Sequence, residues 1–317
     1  MKLHEKIPGP RSSYTGSFSL AVHTFAVCAL LACFTSLPLA HAAATWTVHA
    51  QPVRLVNGGP VVFQIKAPVP LASLSGSWLD HQLTFSFDKS TKTWFALGGV
   101  SIETEPGSYT LTLTGVRAQA KSPDEKITSS HKFAVNRAKY PRTKAALTVE
   151  GKFTQPSPQQ QQQIAEASKV KQEYLGRVTP DREWNGKFAE PAHAAISDVF
   201  GSARIFNNGK TSSPHQGLDF RVPTGTPVAA MNSGTVLLAR LLYYEGNFVV
   251  IDHGQGLLTL YLHLSEFKVK EGDHVERGQE IGLSGGTGRA TGPHLHVAVR
   301  WQGVYLDPAR LLQLQLP

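Results

Sequence analysis

The sequence predicts a mainly β chain in three parts: a β-sandwich, a helical linker, and a C-terminal antiparallel β domain. Three observations predict it. Short β-branched or alternating runs, broken by Gly, Pro and Asn turns, recur over residues 46–135 and again from about 191 onward. Between them lies a Gln-, Ala-, Glu- and Lys-rich stretch with helical composition. Finally, the C-terminal part is denser in Gly and His than the rest, which marks it as the part with a site.

Residues 1–42 are read as a signal peptide. Lys2, Lys6 and Arg11 precede an apolar run, and Ala40-His41-Ala42 offers a small-x-small cleavage site. The mature chain is then exported to the periplasm or the extracellular envelope. Leu30-Leu31-Ala32-Cys33 offers a competing lipoprotein site at Cys33, and an uncleaved membrane anchor is a further alternative. Cys28 and Cys33 are the only cysteines. Cleavage after residue 42 leaves none, which excludes disulfides, thiol nucleophiles and thiolate metal sites.

Residues 43–140 read as an immunoglobulin-like β-sandwich. The predicted strands are 61–65, 83–87, 93–96 and 109–114, with turns at Asn57-Gly58-Gly59-Pro60, Asp88-Lys89-Ser90 and Pro106-Gly107-Ser108. No chemistry is visible here, and His49, His81 and His131 read as surface residues. Residues 141–190 read as a linker with a solvated Gln-rich helix over 159–175, ended by Thr179-Pro180-Asp181. Residues 191–317 form the third part. Its strands are placed at 228–230, 234–239, 248–252, 257–264, 275–282 and 293–301, with a hairpin turn at Glu245-Gly246-Asn247. Glycines 282, 285, 286, 288 and 292 make a loop that leads into the last strand.

The net charge of +8 is spread along the chain with no Lys/Arg block, so nucleic acid is not an expected partner. An anionic polymer or cell envelope suits the charge, as does a plain solvated basic surface. The chain is expected to be a monomer.

His294-Leu295-His296 sits at the start of a strand-like run. Residues two apart share one face of a strand, roughly 7 Å apart at the backbone. That spacing suits two imidazoles working on one metal and its water. His215-Gln216-Gly217-Leu218-Asp219 pairs an imidazole with a carboxylate across a glycine that lets the chain bend. Alone, this pair reads first as a local hydrogen bond. In 257–264 the leucines fall on one face, taken as the core. Thr259, Tyr261 and His263 fall on the other, which lines a cleft or meets solvent.

Together these segments resemble the signature segments of the lysostaphin/LytM-type zinc peptidoglycan endopeptidases. The likeness spans residues 191–312 and includes Tyr261-Leu262-His263-Leu264 and Gly292-Pro293-His294-Leu295-His296. Residues 199–204, 223–228, 250–254 and 285–288 support it. The resemblance implies a duplicated-hybrid-like antiparallel barrel or sheet, with Zn²⁺ held by His215, Asp219 and His296. His263 and His294 fall on the family's catalytic positions. One would act as general base on a zinc-activated water, and the pair would also stabilise the oxyanion and protonate the leaving amine. Tyr261 and Arg204 are candidate substrate contacts. His253 is expected to serve a turn, with His193 and His274 at the surface.

The implied function is a secreted zinc metalloendopeptidase that cuts peptide cross-links or stem peptides of peptidoglycan. One alternative is a non-catalytic LytM-type activator or binder of other cell-wall hydrolases. The other, from likeness at 228–234 and 278–282, is a lipoyl- or biotinyl-type carrier, which Met231-Asn232 disfavours because it lacks the acceptor lysine. Glycyl bridges and D-Ala–diaminopimelate links are both cut within the family, and the loops at 240–247 and 284–292 would decide between them. The sandwich would serve targeting, partner binding or latency.

Overall fold

A computed structural model describes residues 45–316 except 120–121, 123–124, 142–145, 207–209 and 212–213. The signal peptide and both cysteines lie outside the described residues. The architecture is mainly β, as the alternating sequence requires.

Two sheets build the N-terminal part. The first runs Thr47–Gln51, Pro60–Lys66, Thr93–Gly99, Ser86–Asp88. The second runs Leu55–Val56, Lys126–Asn136, Gly107–Arg117, Leu71–Trp78, His81–Thr84. Their inner faces share one apolar core. Phe63 and Trp78, both fully buried, meet edge to face at 5.2 Å between ring centroids, and Phe133 packs on both. The Trp78 indole N–H donates to the Gly99 carbonyl at 3.0 Å, so the ring carries no orphan donor into the core. The run expected as one strand at 83–87 divides at Phe85: His81–Thr84 belongs to one sheet and Ser86–Asp88 to the other. Simple alternation cannot reveal such a switch, because both halves keep period two.

The C-terminal sheet is ordered Ile196–Asp198, Leu218–Phe220, Leu295–Trp301, Leu257–Leu264, Gly246–Asp252, Gly234–Leu242, His274–Val275, with Val304–Leu306 also on Leu295–Trp301. These pairs are antiparallel. A smaller sheet joins Pro227–Ala229, Glu280–Leu283 and Glu266–Phe267. The stretch expected as one strand at 275–282 is two, parted by a turn at 276–279.

The helix Pro158–Leu175 forms where the Gln-rich composition predicts it, and Ser157 and Gln160 close a capping box at its start. It is not the solvated spacer expected of such a sequence. Ala167 and Leu175 are buried on Leu238, Leu242, Phe248, Val250, Leu258, Leu260 and Ala298. Most of the helix is polar, but two small contact points suffice because the sheet beneath supplies the apolar surface. Before it, Ala146–Leu147 pairs in parallel with Ile205–Phe206.

Sandwich and C-terminal sheet share a core. Trp184 is buried beside Phe95, His81 stacks on Trp301 at 4.9 Å, and Gln302 Nε2 donates to the Gln82 carbonyl at 2.7 Å. His81 is therefore an interface residue rather than a lone surface histidine.

Candidate active site

Three neighbouring strands deliver the site. Asp219 on Leu218–Phe220 lies opposite His296 on Leu295–Trp301, and His296 lies opposite Leu262 on Leu257–Leu264. Register therefore brings together residues 77 positions apart in sequence. His215 enters from the turn before its strand. His294 immediately precedes Leu295–Trp301 and is held by a bridge to Gly285. All five open into one cleft of about 730 Å³.

His215, Asp219 and His296 converge, all three buried. His296 Nδ1 is 2.8 Å from Asp219 Oδ1, His215 Nε2 is 3.0 Å from His296 Nδ1, and His215 Nε2 is 3.2 Å from Asp219 Oδ1. Ligand atoms on a tetrahedron of zinc–nitrogen length stand about 3.3 Å apart, so two imidazoles and a carboxylate at these separations fit Zn²⁺. His215 Nδ1–H donates to the Val199 carbonyl at 3.1 Å, which reserves Nε2 for the metal. Gly217 is needed here: a Cβ on it would meet His296 Nε2 at 2.5 Å. Burial pushes the His296 imidazole down to about 4, so it is neutral and able to ligate at neutral pH. Burial opposes ionisation of Asp219, but the His215 and His296 imidazoles against it outweigh burial and hold the carboxyl well below its usual range.

The other two histidines face this cluster. His263 Nδ1–H donates to the Thr287 carbonyl at 2.8 Å, and His294 Nδ1–H donates to the Gly292 carbonyl at 2.8 Å. A carbonyl only accepts, so each ring is fixed in the tautomer whose Nε2 lone pair is available. The rings lie 4.9 Å apart, and His294 Nε2 is 4.0 Å from Asp219 Oδ1. Burial, then the proximity of the His296 and His294 rings, pushes His263 down to about 3. His263 is thus a neutral imidazole beside the metal site, and both rings aim Nε2 rather than Nδ1 at it.

His263 reaches the cleft through an irregularity. Strict alternation would send it into the core with Tyr261. Its φ is +63°, and the ladder to Gly246–Asp252 slips between Asn247 and Val249. The slip turns the side chain out.

Tyr261 corrects the sequence expectation. It is fully buried on the opposite face, in the core shared with Met231. The leucines face the helix instead, and Leu260 and Leu262 line the cleft. The hydroxyl of Tyr261 accepts from the Met231 N–H at 2.8 Å and lies 3.0 Å from Thr259 Oγ1, so it is occupied in the core and does not reach the cleft. His253 is a second correction. Its backbone does close the 253–257 turn, N–H to the Leu257 carbonyl at 2.9 Å, but its ring is a core group bonded to the Ser233 carbonyl at 2.7 Å and Thr259 Oγ1 at 2.8 Å. Arg204 does line the cleft, but its guanidinium clamps Asp198 at 2.8 and 2.9 Å and pairs with Asp219. It therefore braces a ligand. His193 and His274 are exposed.

Several cleft residues carry no sequence signal of their own. Asp198 comes from the edge strand Ile196–Asp198, whose position only the sheet order reveals. Lys171 comes from the helix and binds Glu245 at 2.5 Å. Tyr244 and Arg289 come from the two loops beside His263.

Residues 213–308 match the sequence profile described as Peptidase family M23. The peptidoglycan DD-endopeptidase ShyA of Vibrio cholerae is 46% identical over 122 residues, 38% of this chain and 28% of that protein. The chain thus spans under a third of the length of that relative. A solved Pseudomonas aeruginosa structure described as a peptidase M23 superposes with a TM-score of 0.61 at 27% identity, over 82% of this chain and 95% of the other. The likeness therefore extends beyond the catalytic sheet into the sandwich. The catalytic domain of lysostaphin from Staphylococcus simulans is 35% identical over 38% of this chain and 92% of its own, with a TM-score of 0.35, so sequence carries that likeness. Residues 213–308, which gather five histidine and aspartate positions in one cleft, are a Peptidase family M23 domain at the C-terminal end of this chain.

Proposed function

We propose that this protein is a zinc metalloendopeptidase that hydrolyses peptide bonds of peptidoglycan, acting outside the cytoplasm where that polymer lies. The observation that carries the reading is the pair His263 and His294, each with Nδ1 tied to a backbone carbonyl so that Nε2 faces the His215–Asp219–His296 cluster. A non-catalytic activator would have no use for two correctly set bases beside a complete ligand set.

His215, Asp219 and His296 would hold the metal, with Arg204 bracing Asp219. Zinc there supplies Lewis acidity to a water molecule and to the scissile carbonyl. His263 and His294 orient the water through Nε2, and one of them takes its proton. The protonated imidazole then stabilises the developing oxyanion and returns the proton to the leaving nitrogen. Leu260, Leu262 and, from the helix, Leu175 add an apolar patch to the otherwise polar lining of the cleft.

The test is release of peptides from purified peptidoglycan by residues 43–317, before and after chelation and after zinc is restored. Release that disappears with chelator and returns with zinc supports the reading, and fragment masses name the bond. No release by zinc-loaded protein would favour the activator reading.

A further inference from the structure

We infer that Asp198 is a positioning residue for the metal site: its single carboxylate fixes two of the three ligands, Asp219 through Arg204 and His215 through the 199–202 turn. The inference rests on the metal reading of the His215–Asp219–His296 cluster above.

Asp198 ends the edge strand Ile196–Asp198, and its register partner on the next strand is Asp219. Like charges directly opposite each other on neighbouring strands repel. Arg204 turns that repulsion into a bridge. Its Nε and Nη2 donate to Asp198 Oδ2 at 2.9 and 2.8 Å, and the same Nη2 donates to Asp219 Oδ2. Asp219 Oδ1 is thereby left to the cluster, 2.8 Å from His296 Nδ1 and 3.2 Å from His215 Nε2. The guanidinium sorts the two oxygens of the ligand, one for the bridge and one for the metal.

The other oxygen of Asp198 serves His215. Asp198 Oδ1 accepts the Val199 N–H at 2.9 Å and the Ser202 hydroxyl at 2.7 Å. Those bonds close the turn, and the turn holds His215 by backbone and ring. Gly201 N–H donates to the His215 carbonyl at 2.8 Å, and His215 N–H donates to the Ser202 carbonyl at 2.9 Å. His215 Nδ1–H donates to the Val199 carbonyl at 3.1 Å. Asp198 is not itself one of the converging ligands: its Oδ2 approaches His215 at Nδ1, 3.4 Å away, whereas Nε2 is the nitrogen that faces Asp219 and His296. It therefore acts through Arg204 and the turn, and a change at Asp198 moves both ligands at once.

The experiment measures the zinc Kd of the protein by competition with a chelator of known affinity, for wild type, Asp198→Asn, Arg204→Gln and the double variant. Asparagine keeps Oδ1 for the turn but puts a donor where Arg204 needs an acceptor. Asp198→Asn should raise the zinc Kd by roughly 10- to 100-fold, the range for outer partners of a metal ligand. Added to Arg204→Gln, the same substitution should raise it less than about threefold further, because the bridge is already gone. A similar loss in both backgrounds would mean that Asp198 acts by its charge alone or as a ligand, and would overturn the inference. The visible spectrum of the cobalt-substituted protein should change in Asp198→Asn, because Asp219 loses the bond that reserves its Oδ2. A spectrum identical to wild type would mean a role confined to folding and would also overturn it. Ser202→Ala keeps the charge and removes one bond on Oδ1, so it reads the turn even if Asp198→Asn is too unstable to measure. It should raise the zinc Kd about threefold, and an unchanged value would overturn the His215 half of the inference. A wild type that binds zinc and releases peptides, beside an Asp198→Asn protein of equal zinc affinity, sinks the inference alone. A wild type that binds no zinc sinks the inference and the peptidase reading together.

Discussion

Tyr261→Phe separates a core role from a cleft role for the tyrosine beside His263. The ring is fully buried, so Phe keeps the packing and removes only the hydroxyl. That hydroxyl belongs to a chain of buried bonds. The Ser233 carbonyl can only accept, so His253 Nδ1 carries the proton and Nε2 accepts from Thr259. Thr259 has then used its proton, so Tyr261 donates to Thr259 and accepts from the Met231 N–H. Removing the hydroxyl leaves one donor and one acceptor short, in a place no water reaches. One such buried group costs about 1–3 kcal/mol, and the chain can relax around Thr259, so about 2 kcal/mol is expected. For about 270 folded residues, with unfolding entropy near 2 cal/mol/K per residue, this lowers Tm by about 3–4 °C. The assay is thermal unfolding of the zinc-loaded protein beside kcat/KM on peptidoglycan fragments, which should stay within about twofold of wild type. An unchanged Tm with a tenfold rise in KM would refute the reasoning and return Tyr261 to the substrate.

The same chain predicts an acid-sensitive core. Burial pushes His253 from 6.5 to about 4, so between those pH values the unfolded chain binds the extra proton. Stability from this group is complete above pH 6.5 and falls by about 3 kcal/mol as pH drops towards 4. In urea unfolding, His253→Gln should flatten that acid limb by one proton, and an unaltered slope would contradict it. Gly288→Ala places a Cβ 2.3 Å from Gly246 N at a φ of +71°, so the loop whose Thr287 carbonyl holds the His263 ring must shift. It should keep its zinc yet lose on the order of 100-fold in kcat, as measured by metal analysis and turnover. Lys171→Met strips the partner from Glu245, which is 12% exposed, and Glu245 Oε2 already lacks a hydrogen bond. Chemical unfolding should show a loss of about 1–2 kcal/mol, moderated because Lys171 is partly exposed. The double variant with Glu245→Gln should recover part of it.

The local motifs of the site were legible and the long-range ones were not. His215 with Asp219, and His294 with His296, sit close in sequence, and the glycine between the first pair and the strand pattern around the second foretell that each converges. That the two pairs meet depends on strand order, which adjacent-residue patterns do not encode. Alternation in Leu257–Leu264 is real, but both faces are buried, so it does not say which is core. The polar face hides because Thr259, Tyr261 and His253 satisfy one another, while the leucines are covered by a helix whose sequence looks solvated. His263 escapes alternation through a positive φ, which no residue preference announces. Arg204 was legible as a cleft residue, yet its pairing with Asp198 required the edge strand to be placed first.

The central claim is that two imidazoles which do not bind the metal perform the proton transfers beside it. Zinc stoichiometry and release of peptides from purified peptidoglycan, measured together for wild type, His263→Ala and His294→Ala, test it most directly. The account predicts one zinc per chain in all three proteins, with release by the wild type alone. Variants that retain zinc and still release peptides would contradict it, as would loss of zinc from either one, since that histidine would then be a ligand rather than a base.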